Sequence, residues 1–145
     1  MVTWPNSDPG SRAILDAFEP YRDVPHFRFH ASLGRRRYLG LLNVAAAVVG
    51  NSSSGIKETP SFGIPCVNVG SRQAGRLRAE NVLDVPYDRA AIATAVRRAL
   101  EDETIALRAR TCSRPYGDGR CGEIVAERLA SVALGPELLR KRMTY

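Results

Sequence analysis

Short apolar runs alternate along this chain with amphipathic stretches of helical period, and that alternation constrains the fold more than any other feature. Residues 2–4 are a β-prone stub ended by Pro5. Pro9-Gly10-Ser11 opens a helix with Ile14, Leu15 and Phe18 on one face. Residues 27–30 alternate as a strand does. Residues 35–46 read as a helix with Tyr38, Leu39, Leu41 and Leu42 apolar. Residues 45–49 form a continuous apolar run ending at Gly50, the pattern of a strand buried on both faces. A second helix begins within Ser52-Ser53-Ser54. Pro65 precedes another buried strand over 66–69, and 82–85 make a further one. Amphipathic helices are expected over 90–100 and 123–134, and the basic end, 136–145, reads as a tail. Strands separated by helices of this length give βαβ units, hence an α/β fold with a parallel sheet.

The chain has 145 residues, which predicts one domain over 1–135 ahead of that tail, and excludes a two-domain enzyme with a cleft between its halves. No apolar run reaches the 18 or more residues of a membrane helix, and no basic-then-apolar leader opens the chain. Of 21 basic residues only Lys57 and Lys141 are lysine, and the net charge is +6. An arginine excess suits planar contacts to phosphate or carboxylate, or simply a solvated surface. Nucleic acid is an unfavoured partner, because the basic residues are dispersed and the ten aromatics form no stacking pairs. Cys66, Cys112 and Cys121 make no C-x-x-C pair and complete no metal spacing with His26 and His30, so no metal is expected. Reduced thiols of a cytoplasmic protein are the reading.

Parallel sheets bind ligands where strand ends turn into helices. Candidate residues therefore fall at 5–11, 32–37, 50–58 and 70–78. Gly50-Asn51-Ser52-Ser53-Ser54-Gly55 follows the most apolar strand and opens a helix, whose unpaired first-turn N–H groups suit a phosphate. A plain serine-rich cap would look the same. It is no nucleophile elbow, since no serine has glycine at both −2 and +2. It is no P-loop either, since Ile56 stands where Lys is required. Glu58, close to the same helix start, could accept from two vicinal hydroxyls. Arg72, Arg76 and Arg78 are charge partners for a diphosphate, in a loop bent at Gly70 and Gly75. Gly117-Asp118-Gly119-Arg120-Cys121-Gly122 fits G-x-G-x-x-G but follows no strand, so it reads as a turn that starts the last long helix. Asn6 and Asp8 sit in a polar turn where Asp8 or Ser11 would cap the next helix.

These motifs combine. Gly50-Asn51-Ser52-Ser53-Ser54-Gly55-Ile56-Lys57-Glu58, Pro60-Ser61-Phe62-Gly63-Ile64-Pro65, Asn68-Val69-Gly70-Ser71-Arg72-Gln73-Ala74-Gly75-Arg76 and Glu80-Asn81-Val82 closely resemble the hydrolysing UDP-N-acetylglucosamine 2-epimerases. Pro5-Asn6-Ser7-Asp8-Pro9-Gly10-Ser11 and Tyr116-Gly117-Asp118-Gly119 resemble that family in the same order, so the likeness covers about residues 2–133. It implies the C-terminal, nucleotide-binding half of a glycosyltransferase-B type architecture, a Rossmann-like parallel sheet flanked by helices, here without its first strand and helix.

The resemblance implies that Ser52 and Ser53 bind the diphosphate of UDP or a UDP-sugar and that Glu58 holds the ribose. Asn6 would bind near the phosphates or sugar. Asp8, Arg72 and Arg76 would support the cleft, and Leu33 and Tyr38 fall where the uracil pocket lies. The reaction implied is elimination of UDP with loss of the C2 proton, then hydration to N-acetylmannosamine, a precursor of sialic acid. It uses no cofactor but needs a general base and an acid. The family takes those carboxylates from its N-terminal half and a histidine from after the missing first strand. His26 and His30 do not match that histidine, and Lys57 has no assigned direction. The isolated chain is therefore expected to be inactive, to need the N-terminal domain of the same enzyme, and to self-associate as a homo-oligomer. A non-catalytic nucleotide-sugar or partner-binding module is the alternative.

Overall fold

The computed structural model describes residues 1–140, in two compact units, Met1–Ala45 and a second starting at Ala46. Both contain parallel sheet flanked by helices, the α/β Rossmann-like arrangement that the alternation predicts.

In the first unit β1 (Val2–Thr3) pairs in parallel with β2 (Phe29–His30), Val2 opposite Phe29. The crossover carries α1 (Ser11–Phe18) and a 3-10 turn over Glu19–Tyr21. The alternating run over 27–30 yields only two strand residues. Phe27 donates its N–H to the Val24 carbonyl at 3.0 Å, inside a turn. Its ring then joins an aromatic cluster, 5.3 Å from Tyr21 and 5.9 Å from Phe29, with Phe18 5.4 Å from Phe29. Phe27 and Phe29 are stacked, which corrects the expectation of no stacking pairs, while the other two contacts are tilted; together the rings supply apolar burial that a two-stranded ribbon lacks. Helix α2 (Gly34–Leu42) ends earlier than 46 and buries Leu42. The single tryptophan, Trp4, follows β1 and is half-exposed.

The second unit holds a three-stranded parallel sheet, β3 (Val48–Gly50), β4 (Cys66–Val69) and β5 (Val82–Val85), with β4 in the middle. Successive residues of a strand face opposite sides. Val67 packs with Ala95 and Ala99 of α5 (Arg89–Glu101), flanked by Leu83, Val85 and Val96. Cys66 faces the other way, toward α3 (Ser54–Lys57). A side chain added at Gly55 would meet the Cys66 sulfur at 2.6 Å, so glycine is what lets α3 approach the strand. Helix α4 (Thr59–Phe62) follows at once; α6 (Glu103–Thr111) buries Ile105 and Ala109.

The expectation that 45–49 form a strand buried on both faces is corrected. Among the described residues β3 has one strand neighbour, β4, and Val49 is 49% exposed. The doubly buried strand is β4, where Cys66, Val67 and Asn68 are all buried. The helix expected from the serines is two single turns hinged at Glu58. Pro60 has no N–H to donate to Ile56, so the ladder cannot run through. Helix α7 (Cys121–Ser131) follows left-handed backbone at Gly117 and Gly119, as the turn reading requires. It buries no residue: Ile124, Val125 and Leu129 are exposed. The expected tail begins with a short helix, α8 (Pro136–Leu139); residues 141–145 lie outside the described residues.

Candidate functional site

Within a parallel sheet every strand points the same way, so the loops after β3 and β4 leave from one edge. That geometry brings the serine motif against the arginine loop. The Asn51 carbonyl accepts from Gln73 Nε2 at 2.8 Å and from an Arg72 guanidinium nitrogen at 3.2 Å. Gly70 and Gly75 take the positive φ that the bends need.

Ser52 caps the helix start: its hydroxyl oxygen accepts from the Ser54 N–H at 3.3 Å. Ser53 is the boundary residue of α3 and makes no side-chain cap. The Ser54 hydroxyl donates to the Glu58 carboxylate, half-buried at the hinge between α3 and α4. Ser54, unassigned by the sequence reading, thus orients the carboxylate; the four-residue spacing of the two on a helix was the available signal. A single turn has little macrodipole, and the first-turn amides expected to be unpaired are bonded within it, Gly55 N–H to the Ser52 carbonyl at 3.2 Å and Ile56 N–H to the Ser53 carbonyl at 3.1 Å, so what the motif offers an anion is the hydroxyls of Ser52 and Ser53.

The three arginines divide. Arg72 faces the serine loop, and Arg76 is exposed. Arg78 is corrected: it is no diphosphate partner, because its guanidinium is committed inside the loop. It donates to the carbonyls of Gln73 at 2.9 Å and Arg76 at 3.0 Å and lies 2.9 Å from Asp84 Oδ2. Asp84 in turn accepts from Asn68 Nδ2 at 2.6 Å. Lys57 places its ammonium 5.6 Å from the Tyr116 ring centre, a cation–π contact, and the Tyr116 hydroxyl donates to the Leu77 carbonyl at 3.2 Å. The turn at 116–119 therefore braces both the serine helix and the arginine loop.

In the first unit, Asn6 Nδ2 donates to Asp8 Oδ2 at 2.8 Å in the exposed loop after β1. The expected cap is corrected: Gly10, in left-handed backbone, holds the boundary position of α1 and no side chain caps it. Asp8 contributes its backbone carbonyl, which accepts from Ser11 N–H at 3.1 Å. Leu33 is the boundary residue of α2 and Tyr38 lies on that helix; both are half-buried. His30 is on β2, and the His26 ring lies 5.1 Å from Phe27.

Two of the three thiols, Cys66 and Cys112, are shielded. Burial, reinforced by the nearby Asp84 charge, pushes the Cys66 thiol up to about 12. Burial and Glu80 raise Cys112 too.

The family model described as UDP-N-acetylglucosamine 2-epimerase matches residues 1–130. The chain belongs to this epimerase family. It is 38% identical over 141 residues, 97% of the chain, to the UDP-N,N'-diacetylbacillosamine 2-epimerase (hydrolyzing) of Legionella pneumophila, of which it covers 36%. It is 40% identical over 86 residues to the GDP/UDP-N,N'-diacetylbacillosamine 2-epimerase (hydrolyzing) of Campylobacter jejuni, which is 58% of the chain and 22% of that protein. It is 34% identical over 96 residues to the UDP-N-acetylglucosamine 2-epimerase of Neisseria meningitidis, 66% of the chain and 25% of that protein. The chain thus spans about a third or less of the epimerases it matches. Among the described residues no helix is long and apolar enough to cross a membrane.

Proposed function

We propose that this chain supplies the UDP-binding part of a hydrolysing nucleotide-sugar 2-epimerase. The observation that carries the reading is the strand-to-helix loop over 51–58. Its Ser52 and Ser53 hydroxyls are exposed or half-buried, with Arg72 on the Asn51 carbonyl and Glu58 held by Ser54. Phosphate recognition needs such a donor cluster, and an ionised carboxylate beside it can accept from ribose hydroxyls.

In this reading Ser52 and Ser53 bind the diphosphate, Glu58 the ribose, and Arg72 and Arg76 support the cleft. Asn6 and Asp8 serve the phosphates or sugar, and Leu33 and Tyr38 the uracil. The substrate class is a UDP-sugar, the carrier shared by the relatives' names. The elimination that releases UDP leaves charge on the departing phosphate, and hydrogen-bond donors at the serine loop stabilise that charge. The acid and base come from the N-terminal domain of the same enzyme, so the isolated chain binds UDP without turning over UDP-N-acetylglucosamine. N-acetylmannosamine formation, a cytoplasmic location and a homo-oligomer belong to the same proposal.

Calorimetry with UDP tests it. The chain should bind UDP, and a Ser53→Ala, Glu58→Ala version should bind at least about tenfold more weakly, the loss of charge-assisted hydrogen bonds. Equal affinity in the two would overturn the site. Release of UDP from UDP-N-acetylglucosamine by the isolated chain at an enzyme-like rate would overturn the division of labour.

A further inference from the structure

Gln73 is buried, with 2% exposure, in a loop whose neighbours Arg72 and Ala74 are exposed. A polar side chain is buried at a cost unless its hydrogen bonds fix it. Its Nε2 is spent on the Asn51 carbonyl, 22 positions earlier in the chain. Behind it runs a chain of bonds. Arg78 donates to the Gln73 carbonyl and pairs with Asp84, which accepts from Asn68 on β4, itself 1% exposed. The Asn51 carbonyl is thus referenced to the middle strand of the sheet.

A peptide unit is planar and trans, so its C=O and N–H point in opposite directions. Fixing the Asn51 carbonyl toward Gln73 fixes the Ser52 N–H away from it. Ser52 is exposed, so a donor turned away from the buried Gln73 side chain is turned toward the surface. We infer that Gln73 is a positioning residue: it sets the direction of the Asn51–Ser52 peptide and so aims the first donor of the diphosphate loop. Arg72 on the same carbonyl polarises that peptide further. This rests on the UDP-binding reading above.

The test uses the chain with Gln73→Met, which keeps the length of the side chain and removes the donor. Pyrophosphate, uridine and UDP are titrated separately, and the Ser52 amide is followed by NMR. The expected result is a shifted Ser52 amide resonance and a loss of about tenfold in pyrophosphate and UDP affinity, the size of one misaimed donor, with uridine unchanged. An unmoved Ser52 resonance in the folded variant, or an equal loss for uridine, would overturn the inference. If the unaltered chain binds neither UDP nor pyrophosphate, the functional reading falls, while the Ser52 resonance still decides the positioning claim. If Gln73→Met does not fold, hydrogen exchange of the Gln73 side-chain amide in the unaltered chain decides it. Strong protection supports the locked pose, and exchange at the rate of a free amide overturns it.

Discussion

Gly55 and Cys66 show how one missing carbon sets the distance between a helix and a strand. Gly55→Ala places a methyl 2.6 Å from the Cys66 sulfur, and β4 is pinned on both sides and cannot yield. Overpacking of this kind costs about 1–3 kcal/mol. Urea unfolding should show that loss, and adding Cys66→Ala should return much of it, because the two side chains then no longer collide. Full additivity in that cycle would remove the clash as the cause. The thiols give a second residue-level expectation. Alkylation requires thiolate, so at pH 8 Cys121, exposed at the start of α7, should be labelled by iodoacetamide well before Cys66, whose thiol is pushed to about 12. Peptide mass spectrometry reads the order directly. Gln73 marks the limit of residue-level reading. Its loop was legible as a basic turn near an anion, but burial of its amide is a tertiary fact that no local pattern encodes.

Elements are held here by buried amides as much as by apolar contact. Asn81 Nδ2 donates to both Thr59 Oγ1 and the Ile64 carbonyl at 2.8 Å, while Thr59 donates to the Gly55 carbonyl at 2.6 Å. This network ties α4 and the turn after it to the start of β5. Asn81→Ala orphans the Ile64 carbonyl and should lower stability by about 1–3 kcal/mol in urea unfolding. Another tie is ionic in part. The Glu80 carboxylate accepts from the Ser113 N–H at 2.8 Å and its hydroxyl at 3.0 Å, which holds its pKa below the ordinary 4.5. A depressed carboxylate stabilises the fold above its unfolded value, and that contribution fades as pH falls through the folded one. Melting temperatures between pH 6 and pH 3 should therefore fall less steeply for Glu80→Gln than for the unaltered chain. Element existence was legible where local pattern and tertiary burial agree, as at β4 and α5. Helix α6 went unread because Leu107 lies exposed on it while the small Ala109 is buried, which blurs the apolar stripe. The strand over 45–49 was misjudged in burial, because apolar composition cannot tell a middle strand from an edge.

At the scale of the molecule the two units differ in what holds them. The second has a packed centre on both sides of β4, whereas the first rests on a two-stranded ribbon, ring stacking and Leu42. Amides of β4 should exchange slowest, and those of β1 and β2 faster by orders of magnitude, in native-state hydrogen exchange. Uniform protection would show that the units open together. The exposed apolar residues of α7 lead to a further expectation: the isolated chain self-associates with rising concentration, and a constant monomer mass in light scattering would count against it. The placement of Trp4 makes the first unit separately visible. Its emission is the chain's only indole signal and originates beside β1, while ellipticity at 222 nm is dominated by the longer helices of the second unit. Fluorescence and circular dichroism recorded along one denaturant series are thus two gauges on two halves, and coincident midpoints would mean that the ribbon melts with the sheet.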